Sequence, residues 1–391
     1  MADKHKIFFV QKLLLALLIA VSMSSCERKS LYLQSTSQIK VEVGIYNIEL
    51  EYLWGADWQT EWQYDWDEAQ YGTLGYTKPN GVRAVIYGLN AEKERDNYFT
   101  QNFSTEGGRV SLLGGNWYDM LFYNSGTNYT LFHSNEKYQY YIASTRKSMR
   151  SNGSEENQEE ALTDMNQPDE LFGTFMEKNE VSLNPEDYDL EYDEDGKPVY
   201  VYTLNAHLYP HAMIYLVQVI VKNNTNDQGE QKVKGAKEVK MKGMASEVDL
   251  FTAINGNERI SVTSEDIKPL QTGRELILPD GTTCQADIMA TRILTWGIPG
   301  IKPLAIQNRS GIEMTDPCHI SIGLTMSDDA TYTYTIQEDV TEQIQNRPSG
   351  GVITIIVDAS TLPEPPKPGA GGGFDAEVDD WDNNINADII I

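Results

Sequence analysis

The sequence is poor in the residues from which most active sites and cross-linked folds are built. Only three cysteines and five histidines occur among its 391 residues. No Cys-x-x-Cys or His-Glu-x-x-His spacing is present, which excludes the common zinc and dithiol motifs. No Gly-rich phosphate loop follows a strand and no G-x-S-x-G elbow appears, so the nucleotide-binding and α/β-hydrolase signatures are missing as well. Basic residues are also scarce, 31 Lys and Arg against 58 Asp and Glu, for a net charge of −27. Such acidity argues against nucleic acid and against electrostatic docking on anionic headgroups, since both surfaces repel it.

The few residues that resemble a site are weak. His207 and His211 stand four apart, but Pro210 between them disfavours a helix and no third ligand is near in sequence. The acidic run Asp187, Asp189, Asp193, Glu194 and Asp195 before Gly196 does not follow the ligand order of an EF-hand and reads as a solvated turn. No pair of carboxylates is singled out for glycosidic chemistry. The expectation is a protein without catalytic residues, metal or cofactor.

The N-terminus carries a positive signal. Lys4, Lys6 and Lys12 precede an apolar run from Leu13 to Val21 that ends in small residues, the layout of a secretory signal. That run is too short to span a bilayer, which takes roughly 20 apolar residues. Met23-Ser24-Ser25-Cys26 resembles a bacterial lipobox, so residues 1–25 are expected to be removed and Cys26 to be lipidated. Two or more acyl chains anchor stably, which makes the membrane a partner through the lipid alone. Removing the three lysines and one aspartate of the leader leaves 28 basic against 57 acidic residues, a charge near −29. Cys284 and Cys318 then remain as a candidate disulfide pair in an oxidising compartment; two buried free thiols are the alternative.

Beyond a polar spacer at 26–37 the pattern is that of strands. Ile39, Val41, Val43 and Ile45 alternate with polar residues or glycine, the period of a half-buried strand. Val82 to Leu89, Tyr138 to Ala143, Val199 to Leu204, Lys234 to Met244, Ala290 to Trp296 and His319 to Met326 read the same way. Gly114-Gly115 forms a turn into the aromatic strand that follows it. Ala212 to Lys222 is apolar almost throughout, as expected of a strand buried on both faces. Thr331 to Ile336 is expected to pair with Val352 to Val357 around a helical turn at Val340 to Ile344. The Ser, Asn, Glu and Gln-rich stretch from Arg146 to about Asn166 divides this all-β pattern into two blocks. Two antiparallel β-sandwich domains in tandem are therefore expected, at 38–165 and 166–362.

Two segments leave alternatives open. Trp54, Trp58, Trp62 and Trp66 are either core aromatics or an exposed platform for a glycan or host-surface ligand. Residues 363–373 form a Pro/Gly linker, and 374–391 carry Ile385, Ala387, Ile389 and Ile391 at strand-like spacing. That tail either closes its own domain or is donated to another subunit by strand addition.

Cys26-Glu27-Arg28-Lys29, the segment GGNWYDMLFYN from Gly114, the element Asp339 to Ile344 before GGVITIIVD, and the ending GGGFDAEVDDWDNNINADIII together resemble the fimbrillin-like lipoproteins of Bacteroidota. Within that group the chain is most similar to an uncharacterised domain family related to fimbrial anchor and accessory proteins. The resemblance implies two transthyretin-like β-sandwich domains, an outer-membrane, lipid-anchored position at the cell surface, and a part in fimbrial assembly or adhesion, with fimbrial subunits as partners. It also implies that a polymerising member would be cut after an Arg near the start of its first domain. Here Arg28 adjoins Cys26, Arg83 lies in a core strand, and no Arg lies between them. An anchor, tip or stand-alone protein fits this better than a stalk subunit.

Overall fold

A computed structural model describes residues 40–52, 62, 66, 68–135, 137–148, 162–225, 229–278, 281–302, 314, 316–326 and 332–364. Cys26, Trp54, Trp58 and the tail residues Ile385, Ala387, Ile389 and Ile391 lie outside them. The described chain is all-β, apart from short helical turns at Glu68–Tyr71 and Thr341–Gln345 and two single 3-10 turns. It divides into two compact units, the smaller made, among the described residues, of 40–47, Arg109–Asn116 and Glu180–Thr203.

The smaller unit is built from the beginning of β1 (Val43–Tyr52), the end of β4 (Gly107–Leu113), β10 (Asp189–Tyr192) and the beginning of β11 (Pro198–Pro210). Its buried side chains are Val41, Tyr46, Val110, Leu112, Val181 and Val201. The Ile39 to Ile45 alternation is shifted: Val43 is exposed, whereas Gly44, Tyr46 and Ile48 point inward. Ladders and turns tie the unit together, with Val41 N donating to Leu183 O at 3.0 Å and Gly114 N to Glu42 O at 2.8 Å. Gly114 is required, because a Cβ there would sit 1.9 Å from the Val41 carbonyl oxygen. The acidic run forms β10 and its hairpin turn, in which Asp193 accepts from the Asp195 and Lys197 N–H groups.

The larger unit holds the main cores. β12 (Met213–Lys222) pairs antiparallel with β18 (Thr283–Thr295) and parallel with β21 (Gly351–Asp358). β18 is flanked in turn by β17 (Pro269–Ile277). The odd residues of β12, Met213, Tyr215, Val217, Val219 and Val221, join a core with Val239 and Met241 of β13 (Gly235–Ala245). The same core takes Ile320, Ile322 and Leu324 of β19 (His319–Thr325). The even residues Ile214 and Leu216 belong to a second core with Val85 and Tyr87 of β2 (Val82–Leu89) and Leu121 and Tyr123 of β5 (Trp117–Tyr123). β12 is thus buried on both faces, which is why its sequence is apolar at nearly every position.

The pairing of two strands differs from expectation. β20 (Thr333–Asp339) pairs with β19 and not with β21, which lies in another sheet beside β12. Parallel pairing of β12 with β21 and of β16 (Arg259–Ile267) with β8 (Thr163–Met165) departs from a purely antiparallel plan. β8 also shows that the polar stretch from Arg146 ends in a strand, seated by the buried Asp164 against Ser261.

Candidate functional site

Exposed strand edges are where an all-β protein meets other chains, because each leaves a row of backbone N–H and C=O groups unpaired. β21 ends its sheet, yet its outer side is plugged. The Gln343 side chain takes the Thr354 N–H at 2.8 Å and gives its own N–H to the Thr354 carbonyl at 2.9 Å, mimicking a neighbouring strand. At the far end of that sheet β17 is broken by register shifts up to Arg274 and carries the left-handed Gly273. β20 finishes on Glu338 and Asp339.

β3 (Arg95–Phe103) is different. It ends its sheet and pairs with β2 over its whole length, with a single shift at Gly88/Leu89. Residues 97–103 read NYFTQNF, without charge or proline. Tyr98 is 51% exposed and Phe99 39%. Its start is fixed by Arg95, whose side chain is 15% exposed and pairs at 2.7 Å with Asp119, itself 8% exposed. Arg95 also donates to Tyr138 O at 2.5 Å and lies 4.1 Å from the Phe251 ring centre. Asp119 Oδ1 accepts the Lys178 N–H at 2.8 Å. No two-residue apolar period marks this strand in the sequence; its local signature is the lack of charge over 97–103.

Trp62 and Trp66 are half-buried, pack against the second core and meet edge to face at 5.6 Å. Trp66 donates to Gly72 O at 2.8 Å. Cys284 and Cys318 are free thiols and belong to different apolar clusters, so they form no bridge. Burial pushes the Cys318 thiol up to about 11. His207 faces Glu51 at 2.8 Å on the surface, whereas His211 is buried and Nε2 has no partner. Burial lowers its pKa to about 4. Among the described residues no group of three or more His, Cys, Asp or Glu is arranged to hold a metal ion.

A family model described as "Domain of unknown function (DUF5119)" matches residues 57–258, just over half of the chain. The chain belongs to the DUF5119 family. The DUF5119 region takes in β2, β3, β5 and β12, and so the end strand β3 and most of the second core. No curated protein matches the sequence. Among solved structures, a candidate adhesin from Bacteroides ovatus is similar over 87% of this chain and 98% of its own, at 16% identity and a TM-score of 0.45. A candidate cell adhesion protein from Bacteroides eggerthii is similar over 85% and 94%, at 11% identity and 0.37. The fimbrial anchor protein Mfa2 from Porphyromonas gingivalis is similar over 80% and 90%, at 7% identity and 0.33.

Proposed function

We propose that this DUF5119 chain is a non-enzymatic, lipid-anchored surface protein of the fimbrillin type, serving as an anchor, tip or accessory protein in adhesion or fimbrial assembly. Its partner is a fimbrial subunit that adds a strand to β3. The observation that carries the reading is the uncharged run 97–103 on β3, an end strand of its sheet on which Tyr98 and Phe99 are exposed. The lipobox at Cys26 and the strand-like ending at Ile385 to Ile391 support export and strand exchange. In this reading the tandem sandwiches, at 38–165 and 166–362, are transthyretin-like. A glycan platform on the tryptophans is less favoured, since Trp62 and Trp66 turn toward the core.

The test uses the soluble form ending at residue 373 and a synthetic peptide of residues 374–391. Slowed hydrogen exchange at 97–103 on adding the peptide, lost in Thr100→Lys, supports strand addition. Absence of protection there would sink it, as would a large loss of stability in the monomer on removing the tail, which would make the tail its own domain's strand.

A further inference from the structure

On the larger unit a cleft of about 410 Å³ is lined by Thr77, Lys78, Asn80, Asn124, Asp169 and Glu170, with Pro79 as the apolar side chain of its wall. Its walls are held by internal hydrogen bonds. Glu170 accepts from Arg292 and from both the N–H and the hydroxyl of Thr77, at 2.7 and 2.8 Å. Asp169 takes the N–H groups of Asn128, Tyr129 and Thr130 at 3.1, 2.7 and 2.8 Å. Asn124 accepts from Phe172 N at 2.6 Å and donates to Glu170 O at 2.8 Å. Lys78 meets Glu106 at 2.5 Å.

The hydrogen-bonding capacity left over decides the ligand. A carboxylate offers about four acceptor sites, and Asp169 and Glu170 each use three, so each keeps about one. Asn124 retains one N–H and one lone pair, Lys78 two N–H donors, and the exposed Asn80 its whole amide. Donors and acceptors are interleaved and close to balanced. A hydroxyl group, which donates once and accepts as well, matches such a wall. An anion would meet Asp169 and a Glu170 already paired with Arg292, with only Lys78, itself paired with Glu106, to attract it, and an apolar ligand would leave the polar groups without partners. The volume is at the small end of ligand sites, where a single ring fits. Another cavity, of about 350 Å³ beside Asp287, contrasts with it. There the carboxylate is buried and taken up by Asn224, Gln231 and the Gly273 N–H, as a structural brace.

We propose that the cleft between Lys78, Asn80, Asn124 and Asp169 binds a hydroxyl-rich ring of a neutral sugar. The experiment is saturation-transfer NMR on the soluble form, residues 27–391, with the methyl glycosides of glucose, galactose, mannose and N-acetylglucosamine, and with sialic acid as an anionic control. Titration calorimetry then gives the affinity. At least one neutral glycoside should bind, sialic acid should not, and Asn80→Ala and Lys78→Met should each weaken binding roughly tenfold with an unchanged Tm. No saturation transfer from any neutral glycoside at about 10 mM would overturn the assignment, since that is weaker than the roughly millimolar binding a few hydrogen bonds sustain. Preference for sialic acid, or affinity unaltered in both variants, would overturn it too.

Discussion

Replacing His211 with Asn removes a titration that the fold suppresses. The imidazole is fully buried, its backbone N–H is held by Leu171 O at 2.7 Å, and its Nε2 has no partner. Gly173 packs closely against it, and a Cβ there would lie 3.0 Å from Nε2. Burial is the chief reason the pKa falls from 6.5 to about 4; the Gly173 backbone opposes the shift and Lys302 adds to it. The folded protein therefore keeps the ring neutral down to about pH 4, while the unfolded chain takes up a proton near 6.5. Stability from this site is fully present above pH 6.5 and is lost as pH falls toward 4. At about 1.4 kcal/mol per pH unit, the loss reaches about 3 kcal/mol at pH 4 and about 2 kcal/mol between pH 7 and 5. Urea unfolding of both forms at pH 7, 6 and 5 measures it. The advantage of the native protein over His211→Asn should shrink by about 2 kcal/mol across that range, with the carboxylates common to both cancelling. A difference that stays constant with pH would refute the reasoning.

Other expectations rest on the same contacts. Arg95→Met leaves the Asp119 carboxylate buried beside aromatic rings and should cost about 3–5 kcal/mol in chemical denaturation; a loss below about 1 kcal/mol would show that the pair is not needed. Cys284 should react with a disulfide reagent in the native protein well before Cys318, whose thiol is buried and pushed up to about 11, and reducing agent should leave Tm unchanged. A drop of several degrees on reduction would reveal a bridge. Gln343→Ala removes two hydrogen bonds from the edge of β21 and should cost about 1–3 kcal/mol, and sedimentation should detect new self-association through the opened edge. An unchanged Tm together with a monomer would mean that water replaces the glutamine without cost.

How far the fold was legible depended on the environment of each strand. β2 runs from Val82 to Leu89, as its pattern indicates, and β12 and β19 lie within a residue of their expected bounds. These strands have at least one face wholly in a core, so burial writes itself into the sequence. β1 was placed but its inward face was misassigned, because Val43 is a β-branched residue on the exposed side and a one-residue slip exchanges the faces. β3 left no period, since as an end strand it packs little on either face. The edge and the polar cleft were hidden for a related reason. The cleft joins residues 77–81, 124–126 and 169–170, and no local spacing signals that meeting.

The sequence by itself determined what depends on composition and on period. These are the all-β class, the strands with a buried face, the turn at Gly114, and a strongly acidic composition. Pairing was decided only by tertiary structure. That β21 lies parallel to β12, that Gln343 plugs its outer side, that β3 ends its sheet, and that Cys284 and Cys318 enter separate cores all follow from which hydrophobic faces could be buried together. Burial rewards any apolar neighbour alike. Which neighbour wins is settled by the packing of the whole chain.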